Sequence, residues 1–273
     1  MGSFHVTYRL DMGTIAHVTN LTDERLVALL ADEVGTSFTL ERAKSLLPIE
    51  RAAVRRLLLR GLITRLGRGR FAIAEMPVAQ IGDPLHLATA PFVDEPHYVS
   101  WWAALARHGL TEQDPLTIAV AVRNRHRDLK LGPLHVRAIL QSPRRFYGAT
   151  TITTAGGPVH IARPEKAIID SVDRPDLAGG LGEVVKAVAS DGYDVQKLIG
   201  LTLRYPTRAT IARIGYLLEA LDRARADELL ARVRRKSEPV QLDLSEEATG
   251  PVNQRWRILE NVPRDRLGYW AAV

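Results

Sequence analysis

The chain has 273 residues, of which 46% are hydrophobic and 25% are charged, a composition typical of a globular protein with one large or two ordinary domains. It has no cysteine, which excludes disulfide bonds and thiolate metal sites. No apolar run approaches the ~20 residues of a membrane span, and the first residues lack the order of a signal peptide, so we expect a cytoplasmic protein.

The net charge of +6 is concentrated in one segment. Residues 41–75 contain nine basic and three acidic residues, so this segment alone has a charge of +6, and basic and acidic residues balance over the rest of the chain. A local basic excess on an otherwise neutral protein is typical of a surface that binds a polyanion. Charge alone leaves open the alternative of a solvated helix surface.

Helices and a hairpin are predicted in the amino-terminal third. Phe4–Leu10 alternates apolar and polar residues, which indicates a strand, and we assign residues 1–20 to an amino-terminal arm. Thr22 is a plausible N-cap of a first helix that ends near Gly35. Thr39 is a plausible N-cap of a second helix that reaches Leu47, and a third helix runs from about Ile49 to Arg60 without a clear capping residue.

The spacing of apolar residues changes from a helical to a strand-like period after the third helix. Leu62–Leu66 and Arg70–Ile73 read as two short strands, and Gly67-Arg68-Gly69 between them is a tight turn. A basic helix followed at once by a basic glycine hairpin is typical of a winged helix, with the hairpin as its wing. A three-helix bundle with an arginine-rich exterior remains the alternative.

The third helix has two different faces. Its core side carries Ala53, Val54, Leu57 and Leu58, and the opposite side carries Arg51, Ala52, Arg55, Arg56 and Leu59. The planar guanidinium group of arginine donates two hydrogen bonds at once, which suits guanine edges and phosphates. The predicted DNA-binding residues of this helix, its neighbour and the wing are Lys44, Arg51, Arg55, Arg56, Arg60, Arg65, Arg68 and Arg70.

A mixed α/β region is predicted from Leu85 onward. Its expected strands are Leu116–Val122, Leu134–Leu140, Thr150–Thr154 and Val159–Ala162, with shorter alternating segments at Val240–Leu244 and Trp256–Ile258. Its expected helices are His97–His108, Pro164–Val172, Leu181–Ser190, Val195–Leu203 and a long helix from Thr207 towards Lys236. Trp101 and Trp102 point ~100° apart on a helix, so we expect at least one of them in the core.

No catalytic apparatus is predicted in this second region. The histidines do not form pairs at ligand spacing, and phosphate-binding loops are absent. Gly179–Gly182 is interpreted as the turn that starts a helix, although it could cradle an anion. Asp128-Leu129-Lys130 matches the end of a nuclease motif, but a second carboxylate cannot be placed. We therefore predict no catalytic residue, no metal and no cofactor.

Several segments taken in order resemble the AbiEi-type antitoxins of abortive-infection toxin–antitoxin systems. The wing Arg60–Ala72 is similar to the wing of that family. The second region resembles its carboxy-terminal domain over Tyr98–Leu105, His108–Gln113, Arg145–Gly148, Ala162–Ala167 and Arg174–Gly180, and Asn253–Trp256 extends the match. Phe4–Leu10 and most residues after about 200 do not match.

The resemblance implies a fold, a function and partners. The fold is α+β, with a winged helix at residues 21–76, a linker at 77–84 and a carboxy-terminal antitoxin domain at 85–273. The implied function is that of a repressor of its own operon, bound to inverted repeats in double-stranded operator DNA. The resemblance also implies that the protein opposes a nucleotidyltransferase-like toxin encoded nearby, without forming a stable complex with it.

Two other functions remain open from the sequence. One is a winged-helix regulator whose second domain senses a small ligand. The other is a DNA-targeted nuclease that uses Asp128 and Lys130. A neighbouring toxin gene would favour the antitoxin, a deep polar pocket would favour the sensor, and magnesium-dependent cleavage would be required for the nuclease.

Overall fold

The fold belongs to the α+β class, as predicted, in a computed structural model that describes residues 21–74, 83–233 and 238–272. The predicted strand Phe4–Leu10, the arm at residues 1–20 and most of the predicted linker at 77–84 lie outside the described residues. In the described part of the chain, no helix is long and apolar enough to cross a membrane.

Residues 21–74 form three helices and a small sheet. In chain order the elements are α1 (Asp23–Glu33), β1 (Ser37–Thr39), α2 (Leu40–Leu46), α3 (Arg51–Leu59), β2 (Ile63–Gly67) and β3 (Arg70–Ile73). Both predicted caps are present. The hydroxyl of Thr22 accepts a hydrogen bond from the amide of Arg25, and that of Thr39 accepts one from the amide of Arg42 at 3.1 Å. As its weak sequence signal suggested, α3 begins without a side-chain cap.

The small sheet has the antiparallel order β1-β3-β2. Gly69, in the turn between β2 and β3, has a φ of +70°, a conformation that glycine adopts at little cost. The sequence did not predict β1. This strand pairs with β3 and places the ring of Phe38 5.9 Å from that of Phe71, measured between centroids. Both rings are buried in the hydrophobic core that the sheet shares with the helices.

The second region is built on a six-stranded mixed sheet. Its strands are β4 (His97–Val99), β5 (Thr117–Val122), β6 (Leu129–Leu131), β7 (Leu134–Leu140), β8 (Ala149–Thr154) and β9 (Gly157–Ala162). They lie in the order β6-β7-β5-β4-β9-β8, with β5 parallel to β7 and β4 parallel to β9. The predicted strands β5 and β7 and the predicted hairpin β8–β9 are confirmed.

Helices surround the buried α6 in the second region. The elements are α4 (Pro84–Thr89), α5 (Trp101–Arg107), α6 (Pro164–Asp173), α7 (Leu181–Ala189), α8 (Val195–Leu203), α9 (Arg208–Ala220), α10 (Asp227–Leu230) and α11 (Arg264–Ala272). Residues 165–172 of α6 are all buried, and α5, α7, α8 and α9 pack around this helix. A small sheet, β10 (Val240–Gln241), β12 (Ile258–Leu259) and β11 (Val252–Asn253), precedes α11.

The predicted helix His97–His108 was wrong over its first residues. Residues 97–99 form β4, which pairs with β5 on one side and β9 on the other, so these backbone groups are bound in the sheet. The helix α5 begins only at Trp101, whose φ is +55°. Pairing with strands distant in the sequence therefore overrides the local helical pattern.

The predicted long helix from Thr207 towards Lys236 was also wrong. Its first part, α9, ends at Ala220, because the amides of Arg223 and Ala224 turn back to the carbonyl of Leu218. The predicted strand Val240–Leu244 is shortened for a similar reason. The carboxylate of Asp243 accepts hydrogen bonds from the amide and hydroxyl of Ser245, which forms a turn that ends the strand.

Candidate nucleic-acid interface

The helix α3 has the two faces that its sequence predicts. Val54 and Leu57 are buried against the other helices, whereas Arg51 and Arg55 are exposed. Leu59 shares the exposed side and is 80% exposed. The exposed side thus presents two guanidinium groups and one large apolar side chain to solvent, a combination suited to phosphates, base edges and the thymine methyl group.

Two of the predicted DNA-binding arginines form ion pairs with acidic residues of α1. Nε of Arg56 lies 2.7 Å from Oδ1 of Asp23, and Nη1 of Arg60 lies 2.7 Å from Oδ2 of the same carboxylate. A second nitrogen of Arg60 lies 2.9 Å from Glu24. The hydrogen bond from Arg60, and next that from Arg56, lowers the pKa of Asp23. These two arginines therefore hold α3 against α1.

Five of the predicted residues have no such partner. Their side chains are exposed, and none makes a hydrogen bond or ion pair within residues 21–74, 83–233 and 238–272. They are Lys44 on α2, Arg51 and Arg55 on α3, Arg65 on β2 and Arg68 in the wing turn. Uncompensated cations on neighbouring elements create a positive potential that attracts a polyanion.

Arg70 is oriented differently from the other wing arginines. Its guanidinium group forms an ion pair with Asp94, which follows α4 in the second region, and the side chain of Arg70 is 20% exposed. The pair links the base of the wing to the second region. This partner is 24 residues away in sequence, so local spacing gave no sign of it.

A buried polar cluster in the second region was also missed by the sequence. Nζ of Lys166 forms an ion pair with Asp170 one turn later on α6, and both side chains are fully buried. The hydroxyl of Ser100 donates a hydrogen bond of 2.7 Å to the Asp170 carboxylate. Burial raises the pKa of Asp170, and the ammonium group of Lys166 opposes that rise.

Aromatic rings enclose this ion pair. Nζ of Lys166 lies 5.0 Å from the ring centroid of Tyr147, 5.4 Å from that of Tyr205 and 5.7 Å from that of Tyr98. Cations in this position are attracted to the faces of aromatic rings. The hydroxyl of Tyr205 is buried without a hydrogen-bond partner in the described part of the chain. The two charged side chains are closed to solvent, and the cluster joins β4, α6 and the segment that follows α8.

The residues that the sequence offered as nuclease or anion-binding candidates have structural roles. Oδ1 of Asp128 accepts a hydrogen bond from the amide of Ala138, and Lys130 is exposed on the edge strand β6. Gly180 precedes α7 with a φ of +97°, which agrees with the predicted helix-start turn. The described residues contain no group of three or more His, Asp or Glu side chains placed to bind a metal ion.

The two adjacent tryptophans also behave as predicted. Trp101 is completely buried, whereas Trp102 is half-buried. The ring of Trp102 lies so close to Gly179 that a Cβ atom there would be 2.7 Å from it. Both rings therefore pack within the protein, which argues against a stacking platform for bases.

Residues 98–220, which span the core of the six-stranded sheet and helices α5 to α9, match the family model described as the AbiEi antitoxin C-terminal domain. The chain carries an AbiEi-type antitoxin domain. The resemblance inferred from Tyr98–Leu105, Ala162–Ala167 and the segments between them is thereby confirmed. The matched range does not include the winged-helix elements. No curated protein sequence matches the chain significantly.

One solved structure resembles most of this chain. The crystal structure of the RV2827C protein from Mycobacterium tuberculosis aligns with a TM-score of 0.59 over 86% of this chain and 89% of that one. The sequence identity is 17%, so this likeness concerns the fold alone.

Proposed function

We propose that the chain is a DNA-binding repressor of its own operon and an antitoxin that counteracts a nucleotidyltransferase-like toxin encoded nearby. One observation carries the proposal. Unpaired cations on α2, α3 and the wing form an exposed basic surface in the same chain as an AbiEi-type antitoxin domain. The basic surface would bind operator DNA, and the antitoxin domain would suppress the toxin.

The ion pairs separate the basic residues that are free to contact DNA from those that hold the helices together. Arg51 and Arg55 would contact base edges in the major groove, because they lie on the exposed side of α3. Lys44, Arg65 and Arg68 would contact phosphates. Arg56 and Arg60 would instead set the angle between α1 and α3, since both bind Asp23.

The antitoxin role would need no catalytic step in this chain. The Lys166–Asp170 ion pair of the antitoxin domain is fully buried among tyrosines and so cannot reach a substrate. We therefore infer that the protein opposes its toxin through its surface; the family resemblance implies that it does so without a stable complex.

Co-expression with the neighbouring toxin gene tests this division of roles. A variant with Arg51, Arg55 and Arg68 all changed to alanine should lose repression of a reporter fused to its own promoter. Expressed from an independent promoter, the same variant should still restore growth of cells that express the toxin. A matched control, Arg25→Ala on the exposed side of α1, should keep both activities. Loss of growth rescue together with repression, in a variant that remains folded, would contradict the division.

A further inference from the structure

A cavity of about 460 Å³ lies between the winged-helix elements and the second region. The wall on the winged-helix side is formed by β1, the start of α2 and β3. The opposite wall is formed by α4, the turn that follows it, and the hairpin strand β9. This volume is within the range of pockets that bind small organic molecules.

The titratable side chains of the cavity wall are all basic. Two arginines and three histidines line it, and no acidic side chain does; they are Arg42, Arg70, His86, His97 and His160. The terminal nitrogens of Arg70 are paired with Asp94, which lies outside the lining, so Nε is the atom of this side chain that is free for a ligand. Three other cavities in the described part of the chain are each lined by at least two carboxylates. A wall with basic side chains and no carboxylate favours an anionic occupant.

Two of these side chains have unused hydrogen-bonding atoms. Nε of Arg70 and Nδ1 of His86 are buried and make no hydrogen bond within the described residues. Buried polar atoms without a partner are costly, and such atoms in a native structure call for an explanation. An anionic group in the cavity would supply an acceptor for both.

The position of the His86 ring is fixed by the hairpin turn. A Cβ atom at Gly156 would lie 2.7 Å from Cγ of His86, and one at Gly157 would lie 3.2 Å from Cε1. A side chain at Gly156 would displace the imidazole, and one at Gly157 would crowd it. The ring therefore reaches the cavity in a defined orientation before any ligand binds.

The rest of the wall is apolar except for Ser37, Thr39 and Thr89. Phe38 and Phe71 from the small sheet, with Leu66, contribute to one side, and Ala90, Val93 and Pro158 contribute to the other. Aromatic and aliphatic walls that face each other suit a flat ring, and a few polar groups at one edge would fix its orientation.

We propose that this cavity binds a small planar aromatic anion, whose carboxylate or phosphate contacts Arg70, Arg42 and His86 and whose ring lies between the apolar walls. The site connects the base of the wing to the second region, because Arg70 belongs to β3 and His86 to α4. The proposal does not depend on DNA binding or on antitoxin activity.

Isothermal titration calorimetry of the full chain tests the proposal with two probes. Salicylate carries a carboxylate, and adenosine monophosphate carries a phosphate, so the pair distinguishes the two kinds of anion. We expect at least one of them to bind at one site per chain. Salicyl alcohol and adenosine have the same rings without the anion, and inorganic phosphate has the anion without a ring; each should bind about tenfold more weakly or worse.

Variants locate the binding site. Arg42→Gln combined with Arg70→Gln should weaken binding of the active probe at least about tenfold. Val93→Trp should do the same by filling the cavity while leaving both arginines in place. The matched control Arg25→Gln, on the exposed side of α1, should bind as the unchanged protein does. Failure of both probes to bind, or binding that neither lining variant weakens, would overturn the proposal.

Discussion

Nε of Arg56 on α3 lies 2.7 Å from Oδ1 of Asp23 at the start of α1, and Asp23 is only 6% exposed. Arg60 binds the other oxygen of the same carboxylate. One acidic side chain thus binds two arginines that the sequence alone predicted to bind DNA. This ion-pair network fixes the helix that carries the exposed residues Arg51 and Arg55.

The first prediction concerns the pH dependence of this network. Both arginines hold the pKa of Asp23 below its ordinary value of 3.8. A lowered carboxyl pKa contributes stability that is present above the ordinary value and is lost as the pH falls through the folded-state value. Asp23→Asn should therefore lower the melting temperature at pH 7, and the difference from the unchanged protein should shrink below about pH 4.

Glu33→Gln is the matched control for Asp23→Asn. Glu33 lies at the other end of α1, is exposed, and makes no ion pair with a described residue. The melting temperature of Glu33→Gln should equal that of the unchanged protein at every pH. Equal melting temperatures for Asp23→Asn and Glu33→Gln at pH 7 would show that the network does not stabilise the fold.

The second prediction concerns the buried pair in α6. Lys166→Met would leave the Asp170 carboxylate buried without its counter-charge, and removal of one partner of such a pair costs about 3–5 kcal/mol. Because burial raises the pKa of Asp170, the single variant should become less unstable as the pH falls and the carboxyl group is protonated. Urea unfolding monitored by circular dichroism at two pH values measures both effects.

The double variant Lys166→Met/Asp170→Leu completes this experiment. Replacing both charges by apolar groups removes the unpaired carboxylate, so the double variant should recover most of the lost free energy of unfolding. If it is no more stable than Lys166→Met, the cost lies in packing and the ion pair is not the cause.

The third prediction compares two helical glycines. A Cβ atom at Gly215 in α9 would lie 2.1 Å from the ring of Trp256, whereas one at Gly200 in α8 would meet no atom within 4 Å. Gly215→Ala should lower the free energy of unfolding by about 1–3 kcal/mol through overpacking. Gly200→Ala should raise it by about 0.5–1 kcal/mol, because alanine restricts the unfolded chain and favours helix. Chemical unfolding of both variants tests the contrast, and equal effects would refute the role of Trp256.

The sequence predicted local features of the fold well. The two faces of α3, the caps Thr22 and Thr39 and the hairpin β8–β9 follow from patterns a few residues long. It did not predict β4, which has three residues and is held by strands distant in the chain. Short elements of this kind depend on tertiary pairing, which no local period records.

The candidate site was predictable only in part for the same reason. The arginines could be placed on an exposed helix face, but their partners could not be identified, since Asp23 is 33 residues from Arg56 and Asp94 is 24 from Arg70. Lys166 and Asp170 have the spacing of an ordinary surface pair on a helix. Their burial follows from the helices packed around α6.

DNA affinity measured against salt tests the central claim, that the exposed cations of α3 and the wing bind operator DNA. Fluorescence anisotropy would follow the full chain on a duplex from its own promoter and on a scrambled duplex, at several salt concentrations. Arg55→Ala should cost about 1–3 kcal/mol on the promoter duplex and reduce the preference for it. Arg68→Ala should weaken binding to both duplexes and reduce the salt slope by about one unit. Arg25→Ala should change neither. Affinity that is independent of salt, or unchanged by both Arg55→Ala and Arg68→Ala, would contradict the claim.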